Sequence, residues 1–234
     1  MYIKNPYYSL GYRFFYLCMC GYGIFLHFSP DDPANTTHMF SYFTVQCNIF
    51  CFIVFFILFL SSLLSIQYPN EDVKMYFTHL NGMALLSIII TFLTYHFVLN
   101  GSGFSMTEDT STVILSAVTR KSSILIPPPS ERDIYVHYLI PALTLTDWLL
   151  FEPKGKFKKY DPLLWLIPTL TYFLMTIIRC EVFSNEYPYS FLNLNRLGIF
   201  NVAAIILAFV VISLFLGYLI VGFDLILAHR KKRT

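Results

Sequence analysis

Apolar residues run along this chain in six long stretches separated by short polar segments. They cover Tyr8 to Phe28, Met39 to Ile66, Met75 to Leu99, Ile134 to Phe151, Pro162 to Cys180 and Leu197 to Ala228. Each is long enough, or nearly so, to cross a hydrocarbon layer of about 30 Å at about 1.5 Å per helical residue. None shows the strict alternation of a membrane barrel strand. A backbone in lipid must then satisfy its own hydrogen bonds, which only a helix does within one segment. The pattern predicts an all-α polytopic membrane protein, a single domain over residues 1–234 with six transmembrane helices.

The polar punctuation predicts an orientation. Lys4, Lys74, Lys154, Lys156, Lys158, Lys159, Arg230, Lys231, Lys232 and Arg233 fall on one side, and Arg120, Lys121, Arg132 and Arg196 on the other. The cation-rich side is cytoplasmic by the positive-inside rule, which places both termini there and the protein in the plasma membrane. The first stretch lacks a small-residue cleavage site and is followed by further spans, so it is expected to be an anchor rather than a cleaved signal. Outside lie "SPDDPANTT", the long connection from Asn100 to Asp133 with its "LIPPPSERD", and "EVFSNEYPYSFLNLNR". Pro141 and Pro168 each remove a donor within a stretch, so the fourth and fifth helices are expected to bend. Asp161 and Pro162 form a cap and first-turn pair for the fifth.

Composition agrees with this reading and narrows it. Of 234 residues, 56% are hydrophobic, 18% aromatic and only 13% charged. That balance belongs to integral membrane proteins. A formal charge of +2, with its cations at loop ends and the C-terminus, excludes a nucleic-acid binder. The five cysteines lie in or beside apolar runs without zinc-site or disulfide spacing and read as small buried side chains.

Candidate chemistry lies where polar side chains interrupt the apolar stretches. By helical rise, Thr44 sits about 8 Å below the outer end of the second stretch, and His96 and His137 each about 5 Å below those of the third and fourth. Arg179 closes the fifth at that level and Asn201 opens the sixth. Ser41, Thr44 and Asn48 share a helical face, as do Thr169, Tyr172, Thr176 and Arg179, and such faces point toward protein or a water-filled cavity. Each residue has a structural reading too: a threonine bonding back to its helix, a histidine or arginine anchored at the interface, Arg179 paired with Glu181. Asp147 lies about 15 Å from His137 along one helix, beyond any hydrogen bond, so it is expected to be a structural lock near the inner leaflet. His79 or the basic loop "EPKGKFKK" would neutralise it.

Four stretches, "FSYFTVQCNIF", "HYLIPALTLTDWLLFEPKG", "TLTYFLMTIIRC" and "YPYSFLNL", resemble the bacterial proline-rich six-transmembrane (Pr-six-Pr) family over roughly residues 10 to 215. "YPYS" stands where "YPYP" is usual, and "NL" where "DV" is common. That family is distantly similar to the androgen-induced integral membrane proteins, threonine hydrolases of fatty-acid esters of hydroxy fatty acids. The resemblance implies a six-helix membrane fold, with Thr44 and His137 in the positions of the threonine and histidine.

On that implication, His137 would take the proton of Thr44 as the threonine oxygen attacks a lipid ester. Gln46, Asn48 or a main-chain donor released at Pro141 would steady the oxyanion. Arg179 would hold a fatty-acid carboxylate, with His96, Tyr172 and Asn201 also on the substrate side. No cofactor and no metal are expected, since His96 and His137 alone underfill a zinc site. The expected partners are the bilayer and a lipid or fatty-acid ester. A small-molecule transporter, whose polar groups would continue to a cytoplasmic exit, and a lipid-binding protein without turnover are the alternatives.

Overall fold

The computed structural model describes residues 2–28, 38–68, 77–99, 129–184 and 186–231, and among them helices and turns occur without a strand. Six long helices run through the described residues. Helix α1 (Pro6–Phe25) starts where the Asn5 side chain accepts the Tyr7 N–H and Pro6 takes the first position, whose missing donor has no helical partner to lose. Helix α2 (Phe43–Gln67) follows Tyr42, whose backbone is extended and whose side chain makes no cap. Helix α3 (Thr78–Leu93) continues into a wider π-helical segment, Thr94–Leu99.

Helix α4 (Glu131–Phe151) opens on a reciprocal cap between Ser130 and Asp133. It widens over Tyr135–Leu139 just before Pro141. Proline there has no N–H to give and its ring crowds the carbonyl four residues back, so the preceding turn opens. Helix α5 (Asp161–Phe183) steps at Leu166, two residues before Pro168, and also ends in a π-helical turn. Gly198, at φ 77°, reverses the chain into α6 (Ile199–Lys231).

Among the described residues five helices are long and apolar enough to cross a membrane: Phe43–Gln67, Thr78–Leu99, Glu131–Phe151, Asp161–Phe183 and Ile199–His229. These make the chain a multi-pass membrane protein by length and composition. Helix α1, at 20 residues, is a helix but not one of those five. The second stretch is helical at Met39, turns over residues 40–42, where the backbone of Tyr42 is extended, and becomes a continuous helix only from Phe43. The expected start of the third stretch at Met75, the loops 29–37 and 100–128, and Lys74, Arg120, Lys121, Lys232 and Arg233 lie outside the described residues.

Helix α1 packs on α2 and α4, α3 lies between α2 and α4, and α6 rests on the first turn of α5. Tyr16 stacks on Phe55 at 3.5 Å between ring centroids, joining α1 to α2. Gly82 allows the Trp165 ring against α3: a Cβ there would lie 2.2 Å from it. The loop before α5 is fastened to α6 by Asp224, whose Oδ2 accepts the N–H groups of Gly155, Lys156 and Phe157 at 2.8, 3.0 and 3.2 Å. Leu174, Met175, Phe183 and Phe200 face outward, where lipid rather than water would receive them. No disulfide joins the five cysteines, and all but Cys18 are buried.

Candidate functional site

Thr44 is the second residue of α2 and is buried. Its Oγ1 lies 3.0 Å from Nε2 of His137, which the widened turn of α4 carries toward α2. The other ring nitrogen of His137, Nδ1, lies 3.2 Å from the backbone oxygen of Asp133. A carbonyl only accepts, so Nδ1 carries the hydrogen, Nε2 presents its lone pair, and the Thr44 hydroxyl donates to it. The Asp133 carboxylate is 3.8 Å from Nδ1, too far for a hydrogen bond. Tyr95, from the π-helical end of α3, stacks on the imidazole at 3.7 Å and 14° and fixes its plane. The result is a hydroxyl aimed at a base of the correct tautomer, itself oriented by a third group.

Two cavities meet at Thr44. The larger, about 310 Å³, is lined by Thr44 and His137 with His27, Tyr42, Arg132 and Tyr189. A narrow one of about 20 Å³ runs behind Thr44 among Phe43, Thr169, Tyr172, Phe173 and Phe209. Thr44, Tyr95, Leu99 and Tyr189 border both. Burial pushes the Tyr189 phenol above its ordinary pKa, so it keeps its proton, and the Thr44 hydroxyl and Phe43 backbone are its polar neighbours.

The remaining candidates divide. Asn48 is fully buried below Thr44, its Nδ2 donating to the backbone oxygens of Thr44 (2.8 Å) and Val136 (3.2 Å). It ties α2 to α4 and so holds the pair in register, but both its hydrogens are used. Tyr172 borders the narrow cavity and donates to the Ser41 oxygen at 3.1 Å. Gln46 is turned away and exposed, bonded to the Phe40 oxygen at 2.9 Å, because residues two apart on a helix face apart. His96 is exposed, 3.2 Å from the Tyr138 hydroxyl and stacked on Phe92. Asn201 is exposed and bonds back to the Leu197 oxygen at 2.7 Å.

Arg179 reaches the Glu186 oxygen at 3.4 Å and the Cys180 sulfur at 3.7 Å, and borders neither cavity. The cation at the larger cavity is Arg132, at the start of α4. Hydrophobic periodicity missed it because it lies in the loop-like "SERD". It missed Tyr95 and Tyr189 because aromatic side chains are common throughout this chain. "YPYS" was the signal available for Tyr189.

Asp147 is locked, but by neither partner expected of it. Arg13 of α1 gives it two bonds, Nε to Oδ1 at 3.0 Å and Nη2 to Oδ2 at 3.2 Å, and Asn81 adds a third at 3.2 Å. Arg13 also binds Glu152 at 2.7 Å, Ser62 at 3.0 Å and the Leu58 oxygen at 3.0 Å. His79 is taken by Asp161 at 3.1 Å, and Lys154 of the basic loop turns to the backbone oxygens of Trp148 and Glu152. A guanidinium buried in apolar surroundings needs this many acceptors, which explains why one cation on α1 holds α2 and α4 together.

Among the described residues no group of three or more His, Cys, Asp and Glu side chains is arranged to hold a metal. Fold and site together define a helical multi-pass membrane protein with a buried threonine–histidine pair opening on a cavity. No protein-family model, curated protein or solved structure matches the chain.

Proposed function

We propose that this protein is an intramembrane carboxylic ester hydrolase with Thr44 as nucleophile and His137 as base. The observation that carries the reading is the 3.0 Å contact between Thr44 Oγ1 and His137 Nε2 in the wall of the 310 Å³ cavity. His137 Nε2 takes the Thr44 proton as Oγ1 attacks the ester carbonyl. The tetrahedral adduct collapses, the alcohol leaves with that proton, and the acyl group stays on Thr44. Water then attacks the acyl-threonine, giving a proton to His137. Collapse releases the carboxylic acid and returns the proton to Thr44.

The substrate class is a lipid ester, because the cavity is bordered by membrane-spanning helices and a narrow aromatic crevice continues from it. Fatty-acid esters of hydroxy fatty acids are the substrates to try first. They follow from the similarity of "YFTVQ" and "VHYLIP" to the threonine hydrolases reached through the Pr-six-Pr family. Arg132 is the residue suited to a substrate carboxylate. A transport reading draws less support, since the inner polar groups it would use, His79, Asn81 and Asp147, face other protein groups: Asn81 donates to Asp147, Asp147 accepts from Arg13, and His79 lies 3.1 Å from Asp161.

In this reading α1 is the sixth span, its Arg13 neutralised within the bundle, and both termini are cytoplasmic in the plasma membrane. The catalytic pair then lies near the outer leaflet. The test is labelling of the purified protein with a phosphonate probe for serine and threonine hydrolases, followed by mapping of the modified residue. Labelling at Thr44, lost in Thr44→Ala and His137→Ala, is the expected result. Ester hydrolysis left intact in both variants ends the proposal.

A further inference from the structure

We infer that the Tyr189 hydroxyl and the first-turn amides of α2 form the oxyanion site, a reading that rests on Thr44 as the nucleophile. When Thr44 Oγ1 bonds to an ester carbon, the carbonyl π pair moves to its oxygen. Donors must already stand about 3 Å from where that oxygen comes to lie. The two side chains suggested by sequence are spent elsewhere: Gln46 on the Phe40 oxygen, Asn48 on the oxygens of Thr44 and Val136.

What remains is on either side of Thr44. Tyr42 makes no side-chain cap to α2, and its own N–H goes back to the Met39 oxygen at 3.2 Å. The N–H groups of Thr44 and Val45 have no acceptor within the helix, which is the general condition of a first turn, while the Phe43 backbone bonds to the Tyr189 hydroxyl. They sit at the positive end of a 25-residue helix, with the nucleophile among them. Tyr189, 7% exposed, closes the other side: it borders both cavities with Thr44 and neighbours the Thr44 hydroxyl and the Phe43 backbone.

Tyr189 is held for this position before any substrate arrives. Its ring stacks on Phe191 at 5.0 Å and 13° and meets Tyr42 edge-on at 5.8 Å and Tyr172 at 6.5 Å. Tyr172 itself cannot serve, because its hydroxyl donates to the Ser41 oxygen. The phenol and the amides thus hold the oxyanion while His137 holds the proton. The charge returns to the carbonyl when the alkoxide leaves and takes that proton.

The experiment uses the full chain in lipid nanodiscs with a long-chain 4-nitrophenyl ester, comparing Tyr189→Phe and Thr44→Ala with the unaltered protein. Tyr189→Phe is expected to lower kcat on the order of 100-fold with KM little changed. Affinity for a long-chain boronic acid, which mimics the tetrahedral adduct, should fall with kcat, while binding of the non-hydrolysable ether analogue holds. Full kcat in Tyr189→Phe beside a dead Thr44→Ala overturns the oxyanion role and leaves the hydrolase standing. An equal loss of ether binding in Tyr189→Phe marks the residue as packing and also overturns it. An active Thr44→Ala removes the hydrolase reading and this one with it.

Discussion

Arg13 and Asp147, 134 residues apart in the chain, form a two-point ion pair in which neither side chain reaches solvent. The pair joins α1 to α4 and lies on the side of the bundle away from the Thr44–His137 pair. Its partners close the remaining valences: Asn81 from α3, Ser62 and the Leu58 oxygen from α2, Glu152 just past α4. It accounts for a cation and an anion within apolar stretches without assigning either to catalysis.

Asp147→Ala leaves the Arg13 guanidinium short of its main acceptor in a buried setting. We expect a loss of about 3–5 kcal/mol, the usual consequence of breaking a buried pair from one side. Unfolding in detergent measures it, and the fraction that stays folded should still accept the hydrolase probe at Thr44. A stable Asp147→Asn protein devoid of activity would instead place this residue in the chemistry.

Glu152 predicts a pH dependence. Burial raises its pKa above the ordinary 4.5, with Arg13 opposing and Asp147 adding to the shift. Its Oε2 and the Asn81 Oδ1 find no hydrogen-bond partner among the described residues. The folded protein therefore binds more protons than the unfolded chain between pH 4.5 and the raised value. Stability falls as pH rises through that window and is greatest below it, as far as this group is concerned. Thermal midpoints should lose this slope in Glu152→Gln, and an unchanged slope in that variant counts against the assignment.

The His137 tautomer is set by the Asp133 backbone oxygen and not by its carboxylate. Asp133→Asn should consequently cost at most about tenfold in kcat, against the roughly 10⁴-fold that follows when a catalytic histidine takes the wrong tautomer. Steady-state hydrolysis by the two proteins decides between these outcomes.

Substrate affinity should respond to Arg132 and not to Arg179. Only Arg132 borders the cavity, whereas Arg179 turns to the Glu186 oxygen and the Cys180 sulfur. Arg132→Ala is expected to raise KM for esters carrying a carboxylate by about 10-fold with kcat kept, the signature of lost uniform binding. Neutral esters should be less affected. A KM effect confined to Arg179→Ala would reverse the assignment.

Gly82→Ala tests the packing of α3 against the start of α5. Its added carbon would fall 2.2 Å from the Trp165 ring, so rings or helices must shift. Overpacking of this kind costs about 1–3 kcal/mol. A variant as stable as the parent by thermal unfolding would mean that the contact gives way freely.

Much of this was legible along the chain. Apolar length and composition are local properties, and they identified the long helices to within a few residues wherever both ends are described. Pro141 and Pro168 were expected to bend their helices; what stands before each is an irregular turn, a π-helical one at Tyr135–Leu139 and a break at Leu166, because a missing donor and a crowded carbonyl act within four residues. Spacing also placed Thr44 and Asn48 on one inward face of α2, and both are buried; Ser41, expected on the same face, is buried too but lies in the turn before the helix.

Partners were not legible in the same way. His137 faces Thr44 across 93 residues, Asp147 takes Arg13 rather than His79, and Arg132 rather than Arg179 reaches the cavity. The sequence by itself determined that the chain would form long apolar helices suited to lipid and turn mid-helix polar side chains such as Asn48, Thr144 and Asp147 inward, since hydrocarbon penalises the alternative regardless of what the neighbours are. Which inward side chains meet was decided only by the tertiary structure. Helix rotation and axial offset set those distances, and both come from packing between segments far apart in the chain.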